Sequence, residues 1–214
     1  PACPDADYIA VSLRKWMGVA SGGLAIKRHG TFGVKPLPID GTQLQIRDEA
    51  LRTREAYEKT GDETLNQKSA DAFWKAEFML REIFDMQEGD PRSWETISHF
   101  PIKEAIERRR ENYRYLLEHL PEKPGTRPVF PELPEDVCPM FFPFLTGDRE
   151  ALMKHLAERQ IPPKVYWPVP PFVDVEAYPG AKYVYSHIMS VSCDERFTAE
   201  DMQKIVEAFE EFRK

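Results

Sequence analysis

Cysteine is scarce in this chain. Cys3, Cys138 and Cys193 are an odd number in 214 residues, and their spacing matches no metal-binding pattern. That excludes a disulfide-built scaffold and suits a reducing cytoplasm. Long hydrophobic runs are missing too: none approaches the length of a membrane span, and Pro1-Ala2-Cys3-Pro4 does not read as a signal peptide. Basic charge is also short. A formal net charge of −7 and a pI near 5.4 leave no general positive field for nucleic acid. His29, His99, His119, His155 and His187 are scattered, with no HxH or HxxxH arrangement, so no metal site is expected. Repeats and low-complexity segments are absent. What remains, 42% hydrophobic and 12% aromatic residues, describes a folded protein with enough length for one large domain or two small ones.

The chain does have alternating segments. Residues 7–11 and 24–26 read as apolar strands, and the Lys27-Arg28-His29-Gly30 turn suits a hairpin. Helical composition runs from about 47 to 60 and stops at Gly61. A longer helix is expected over 63–86, with Leu65, Phe73, Phe78, Leu80 and Phe84 forming an apolar face, before Gly89-Asp90-Pro91 breaks it. A third helix spans about 102–120. Pro121, Pro124, Pro128, Pro131 and Pro134 then make the chain extended. Beyond them lie a strand in 140–145, a helix over 148–160 entered through a capping Asp148, and strands at 165–167 and 188–191. A last helix, 198–212, opens with Thr198-x-x-Asp201 as a capping box. This order predicts an α+β sandwich whose two helices cover one face of a small sheet.

The most informative stretch is Ser12-Leu13-Arg14-Lys15-Trp16, followed by Gly22-Gly23. It sets a lysine between two apolar strands. An ammonium held out of water loses the solvation that favours its charge, and the amine becomes a better nucleophile. Such an amine forms a Schiff base with an aldehyde cofactor. The Ser12 hydroxyl suits a phosphate, and the glycine pair lets backbone pass close to a ligand or another subunit. The same residues also describe an ordinary lysine at a strand end and a serine making a turn bond.

Ser12-x-Arg14-Lys15 with Gly22-Gly23 resembles the internal-aldimine segment of fold-type I pyridoxal-phosphate aminotransferases, and most of all the DegT/DnrJ sugar-aminotransferase family. Ile106-Glu107-Arg108-Arg109-Arg110-Glu111-Asn112-Tyr113 is similar to that family's long Arg-Arg-x-Asn helix. Met140-Phe141-Phe142-Pro143-Phe144-Leu145, with Arg149-Glu150, Leu156, Ile161 and Tyr166-Trp167-Pro168, resembles its C-terminal domain. The closing pattern is matched by Ser190-Val191-Ser192-Cys193-Asp194-Glu195-Arg196-Phe197-Thr198 and Glu200-Asp201-Met202. These matches fall in the family's order.

The resemblance implies pyridoxal 5'-phosphate as cofactor, with Lys15 as catalytic and cofactor-binding residue and Ser12 as a phosphate contact. It offers Arg14, Trp167 and Arg196 as substrate contacts. An ion pair with Asp194 explains Arg196 as well, and core packing explains Trp167 as well. The implied reaction moves an amino group from an amino acid to a keto group on a nucleotide sugar or a similar acceptor. Two departures bear on the sugar: Ala10-Val11-Ser12 stands where many relatives have Ser-Phe-His, and Ser21 replaces an aspartate before the glycine pair. Cys193 stands where the family usually has proline and reads as a small buried residue. Sugar dehydration, a related activity, would require histidine in place of Lys15.

The implied fold class is α/β, the C-terminal part of a fold-type I transferase. A partial large domain would cover residues 1–120, a proline-rich connection 121–138, and a small α+β domain 139–214. In the family the lysine lies past the middle of the chain. The parts before it supply the phosphate cup, the ring-stacking aromatic and the acid that protonates the pyridine nitrogen. A C-terminal portion is therefore expected, with a homodimer and an upstream chain as partners, in the cytoplasm, without nucleic acid or membrane. The rival expectation is a non-catalytic remnant or interaction module that keeps the fold.

Overall fold

The computed structural model describes residues 5–83, 86–121, 125–166 and 169–212. Contacts divide the chain into Pro1–Phe100 and Pro101–Lys214. This division differs from the expected one, which kept the third helix with the front portion. That helix carries Tyr113 and Leu116, both buried in the core of the second unit.

In the first unit β1 (Tyr8–Ser12) and β2 (Gly23–Lys27) pair antiparallel, with Tyr8 opposite Lys27 and Ser12 opposite Gly23. Four of the five β2 residues are exposed and none in β1 is fully buried, so the two strands form an open ribbon instead of the buried pair expected. No strand follows within 28–36. There the Lys27 ammonium donates to the Thr31 carbonyl (2.8 Å) and no hairpin forms.

Helices α1 (Gly41–Thr60) and α2 (Glu63–Met79) make a helical hairpin. Asp40 and Asp62 cap their starts by accepting from the Thr42 and Thr64 amides. Gly61, at φ 70°, closes α1 in the left-handed conformation that glycine adopts without a Cβ clash. Ala50 and Ala76 are buried at the contact, and Ser69 Oγ donates to the Ala50 carbonyl (2.9 Å). The expected continuation of α2 to residue 86 stops at Met79, and residues 80–82 form turns. Its aromatic face stays largely open: Trp74 is 56% and Phe78 53% exposed. A short α3 (Pro91–Ser98) was not anticipated. Asp90 caps it, with Pro91 at the first helical position.

The second unit opens with α4 (Ile102–His119). Its sheet has the order β3 (Arg127–Pro128), β4 (Phe142–Leu145), β5 (Ile188–Val191), all antiparallel, with Phe142 opposite Val191 and Phe144 opposite Met189. Those four side chains lie on one face by the two-residue period of a strand. They pack against Leu152 and Leu156 of α5 (Arg149–Glu158) and Met202, Ile205, Val206 and Phe209 of α7 (Ala199–Glu211). Helix α4 joins α5 and α7, so three helices contribute to this core where two were expected. The strand expected at 165–167 reduces, among the described residues, to a single antiparallel bridge from Lys164 to Ser190. Helix α6 (Pro179–His187), also unanticipated, has no buried residue and runs directly into β5.

Candidate functional site

Chemistry-bearing residues gather at the turn after β1 and around the closing segment of the second unit. At the first place, Ser12 ends β1 and Leu13–Lys15 form a 3-10 turn. The Arg14 amide donates to the Gly22 carbonyl (3.3 Å), which folds the Gly22-Gly23 pair back beside the turn. Ser12, Arg14, Ser21, Gly22 and Gly23, with Gln43 from α1, line an open pocket of about 450 Å³. A Cβ on Gly22 would lie 3.3 Å from Val19 and Ile97 side-chain carbons, so the close approach there is to the chain's own residues. Lys15 is exposed and is not among the pocket-lining residues. The burial expected for Lys15 is therefore not found, because the flanking strands cover too little of it.

Arg14 is engaged from α2. Its guanidinium meets Glu77 at 2.5 and 3.4 Å, and the same carboxylate accepts from Arg47 at 2.9 Å. The hydrogen bond from Arg14 holds the Glu77 carboxyl below its usual range, against the opposing effect of partial burial. Burial lowers the Arg47 guanidinium, the Arg14 charge adds to that, and Glu77 opposes both. Arg47 also lies 4.3 Å above the Phe73 ring. Sequence reasoning had no means of finding Glu77, which sits 63 positions from Arg14.

Pyridoxal phosphate is only half accommodated here. The Ser12 hydroxyl and the glycine backbone suit a phosphate, but the described lining residues include no carboxylate for a pyridine nitrogen and no aromatic ring to stack on it. The residues present do not fit the whole cofactor.

In the second unit Arg196 binds Asp194 through two hydrogen bonds, 2.9 and 3.0 Å. Burial raises the Asp194 carboxyl, but the Arg196 bonds and charge outweigh it and leave the group below its usual range. Beneath this pair the fully buried Asn112 donates its amide to the carbonyls of Asp194 (3.1 Å) and Phe197 (3.0 Å). The arginine run 108–110 divides. Arg108 is exposed beside Glu111, while Arg109 is buried against Glu195 (2.6 Å). Arg110 is likewise buried and donates to the Pro134 and Val137 carbonyls. Trp167 lies outside the described residues.

A second cavity, about 670 Å³, was not legible from sequence. It lies beside the loop 130–140, which reads only as a proline-rich connection because its apolar residues follow no helical or strand period. Cys138 lines it, and burial raises that thiol. Cys193 is fully buried, and burial pushes its thiol up to about 12, which agrees with an inert core residue.

Comparison with known proteins bears on the second unit most directly. The model of the DegT/DnrJ/EryC1/StrS aminotransferase family matches residues 100–210, just over half of the chain. Lys15 lies outside that match. Similar solved structures include the sugar aminotransferase CalS13 from Micromonospora echinospora, with 20% identity and a TM-score of 0.46 over 54% of this chain and 32% of that one. Helicobacter pylori PseC, an aminotransferase involved in the biosynthesis of pseudoaminic acid, has 17% identity and a TM-score of 0.45, over 59% and 39%. S. venezuelae DesV, in complex with a ketimine intermediate, has 18% and 0.47, over 58% and 37%. The chain thus spans between 32% and 39% of the length of these proteins. No curated protein matches it. With residues 100–210 matched and the Arg-Arg-x-Asn helix built into the core of that unit, the chain belongs to the DegT/DnrJ/EryC1/StrS aminotransferase family.

Proposed function

We propose that this chain carries the lysine-bearing segment and the C-terminal module of a pyridoxal-phosphate-dependent aminotransferase acting on a keto-sugar nucleotide or a similar acceptor. We further propose that residues 1–214 alone do not catalyse the transfer. The observation that carries the first part is the family match over 100–210, preceded in the family's order by Ser12-x-Arg14-Lys15 and Gly22-Gly23. Lys15 offers a solvent-accessible amine and Ser12 a hydroxyl beside the glycine backbone. The second part rests on a pocket with neither acid nor aromatic among its described lining residues. In this reading the ring-holding residues come from polypeptide other than this chain.

Borohydride reduction of the chain mixed with pyridoxal phosphate, followed by peptide mapping, tests the role of Lys15. The label is expected on Lys15 in preference to other lysines, and Lys15→Ala should remove that preference. Labelling spread evenly over the exposed lysines would overturn the assignment.

A non-catalytic module is the second reading. It is favoured by Arg14, whose guanidinium is occupied by Glu77 and not presented alone to a substrate. For partners, we propose a homodimer formed through residues 7–35. Tyr8 (61%) and Ile26 (40%) are exposed on a two-stranded ribbon and Phe32 (43%) in the segment that follows it, and among the described residues the ribbon's outer edges pair with no other strand. Light scattering of dilute protein should give twice the chain mass, and a monomer that stays soluble when concentrated would contradict it.

A further inference from the structure

The cavity of the second unit plays no part in the reading above. Its volume of about 670 Å³ lies within the range of small-molecule sites. Its lining includes Pro143 and Ser190, paired residues that the pleat turns away from the face packed on α5 and α7. The loop 130–140 forms another wall, and that wall is pinned by side chains of α4. Tyr113 Oη donates to the Phe130 carbonyl (2.9 Å), Arg110 to those of Pro134 (2.8 Å) and Val137, and Arg109 to that of Pro139 (3.3 Å). Lys164 and Ser190 exchange both backbone hydrogen bonds, 2.9 and 2.8 Å. These peptide groups are therefore already engaged, which fixes the loop and the strand side of the cavity, and the lining is mainly apolar. Phe141 and Tyr166 stack on each other at 4.5 Å, tilted by 28°, and line the cavity with aromatic carbon against which a further ring can pack edge-on or offset.

Charge decides the class of occupant. The described lining carries one cation, Lys164, and one anion, Glu132, which sum to zero, and the Lys164 ammonium lies 5.1 Å over the Phe141 ring. A charged ligand would lose its hydration without a net counter-charge in the wall. We propose that this cavity is a binding site for a small, uncharged aromatic molecule.

The test compares N-phenylnaphthylamine, an uncharged probe, with its anionic analogue anilinonaphthalene sulfonate, using the full chain. The neutral probe should bind saturably and more tightly than the anionic one. It should also slow alkylation of Cys138, mapped by mass spectrometry, in proportion to occupancy. Met140→Trp, which enlarges a lining side chain, should weaken the neutral probe by at least about tenfold, a loss of about 1.4 kcal/mol. Should that variant fail to fold, as judged by circular dichroism, protection of Cys138 in the unaltered chain decides the matter. Three results would overturn the proposal: no saturable binding, tighter binding of the anion, or Cys138 already protected without probe in a dimer, which would mean that a second copy covers the face. None of these measurements involves Lys15 or pyridoxal phosphate, so failure here leaves the aminotransferase reading untouched.

Discussion

Asp194 shows how a single residue of the closing motif serves the fold. It is 6% exposed, and its carboxylate is held below the usual range because Arg196 outweighs burial. A carboxyl depressed in the folded state stabilises the protein above its unfolded pKa, about 4, and that stability is lost as pH falls through the lower folded value. Asp194→Asn should therefore lower stability at neutral pH and flatten its acid decline, read from urea midpoints between neutrality and pH about 3. A parallel downward shift of the whole profile would mean that Asp194 is not the titrating group. At this scale legibility was uneven. Ser12, Arg14, Gly22 and Gly23 do share one pocket, as their closeness in sequence suggested. The burial of Lys15 did not follow, because the alternation of β1 and β2 says which residues share a face and nothing about what covers that face. The buried roles of Arg109 and Arg110 depend on carbonyls of Pro139, Pro134 and Val137, between 24 and 30 residues away, which no local pattern reveals.

Among the elements, α7 is the best specified. Thr198 Oγ1 accepts from the Asp201 amide and the Asp201 carboxylate accepts from the Thr198 amide, a reciprocal cap that Thr198-x-x-Asp201 announces in sequence. This helix places Met202, Ile205, Val206 and Phe209 in the core. Thr198→Ala should cost about 1 kcal/mol of stability, measured by denaturant unfolding. An unchanged midpoint would show that packing alone sets where the helix begins. Elements with caps or clear periods, such as α5, α7 and β5, were legible. Helix α3 was not, because Asp90-Pro91 reads as a break and is also how a helix starts, with proline where no amide partner is needed. Helix α6 was hidden by Tyr183, Val184 and Tyr185, which favour strands and are only outweighed once the chain context is present.

For the whole molecule, the contacts place the division at Phe100, and the residues matched to the family begin at the same point. No helix among the described residues is long and apolar enough to cross a membrane. Our central proposal is that residues 1–214 hold a lysine segment like the family's, together with its C-terminal module, without a complete cofactor site. In that proposal the pocket, with no ring-stacking aromatic and no acid for the pyridine nitrogen among its described lining residues, can hold the phosphate beside Ser12 but neither orients nor electronically activates the ring. The most direct test is the rate at which pyridoxal phosphate takes the amino group of glutamate, followed by its visible spectrum, with and without the chain at matched cofactor concentration. The account predicts equal rates. Faster transfer with the chain, abolished in Lys15→Ala, would contradict it.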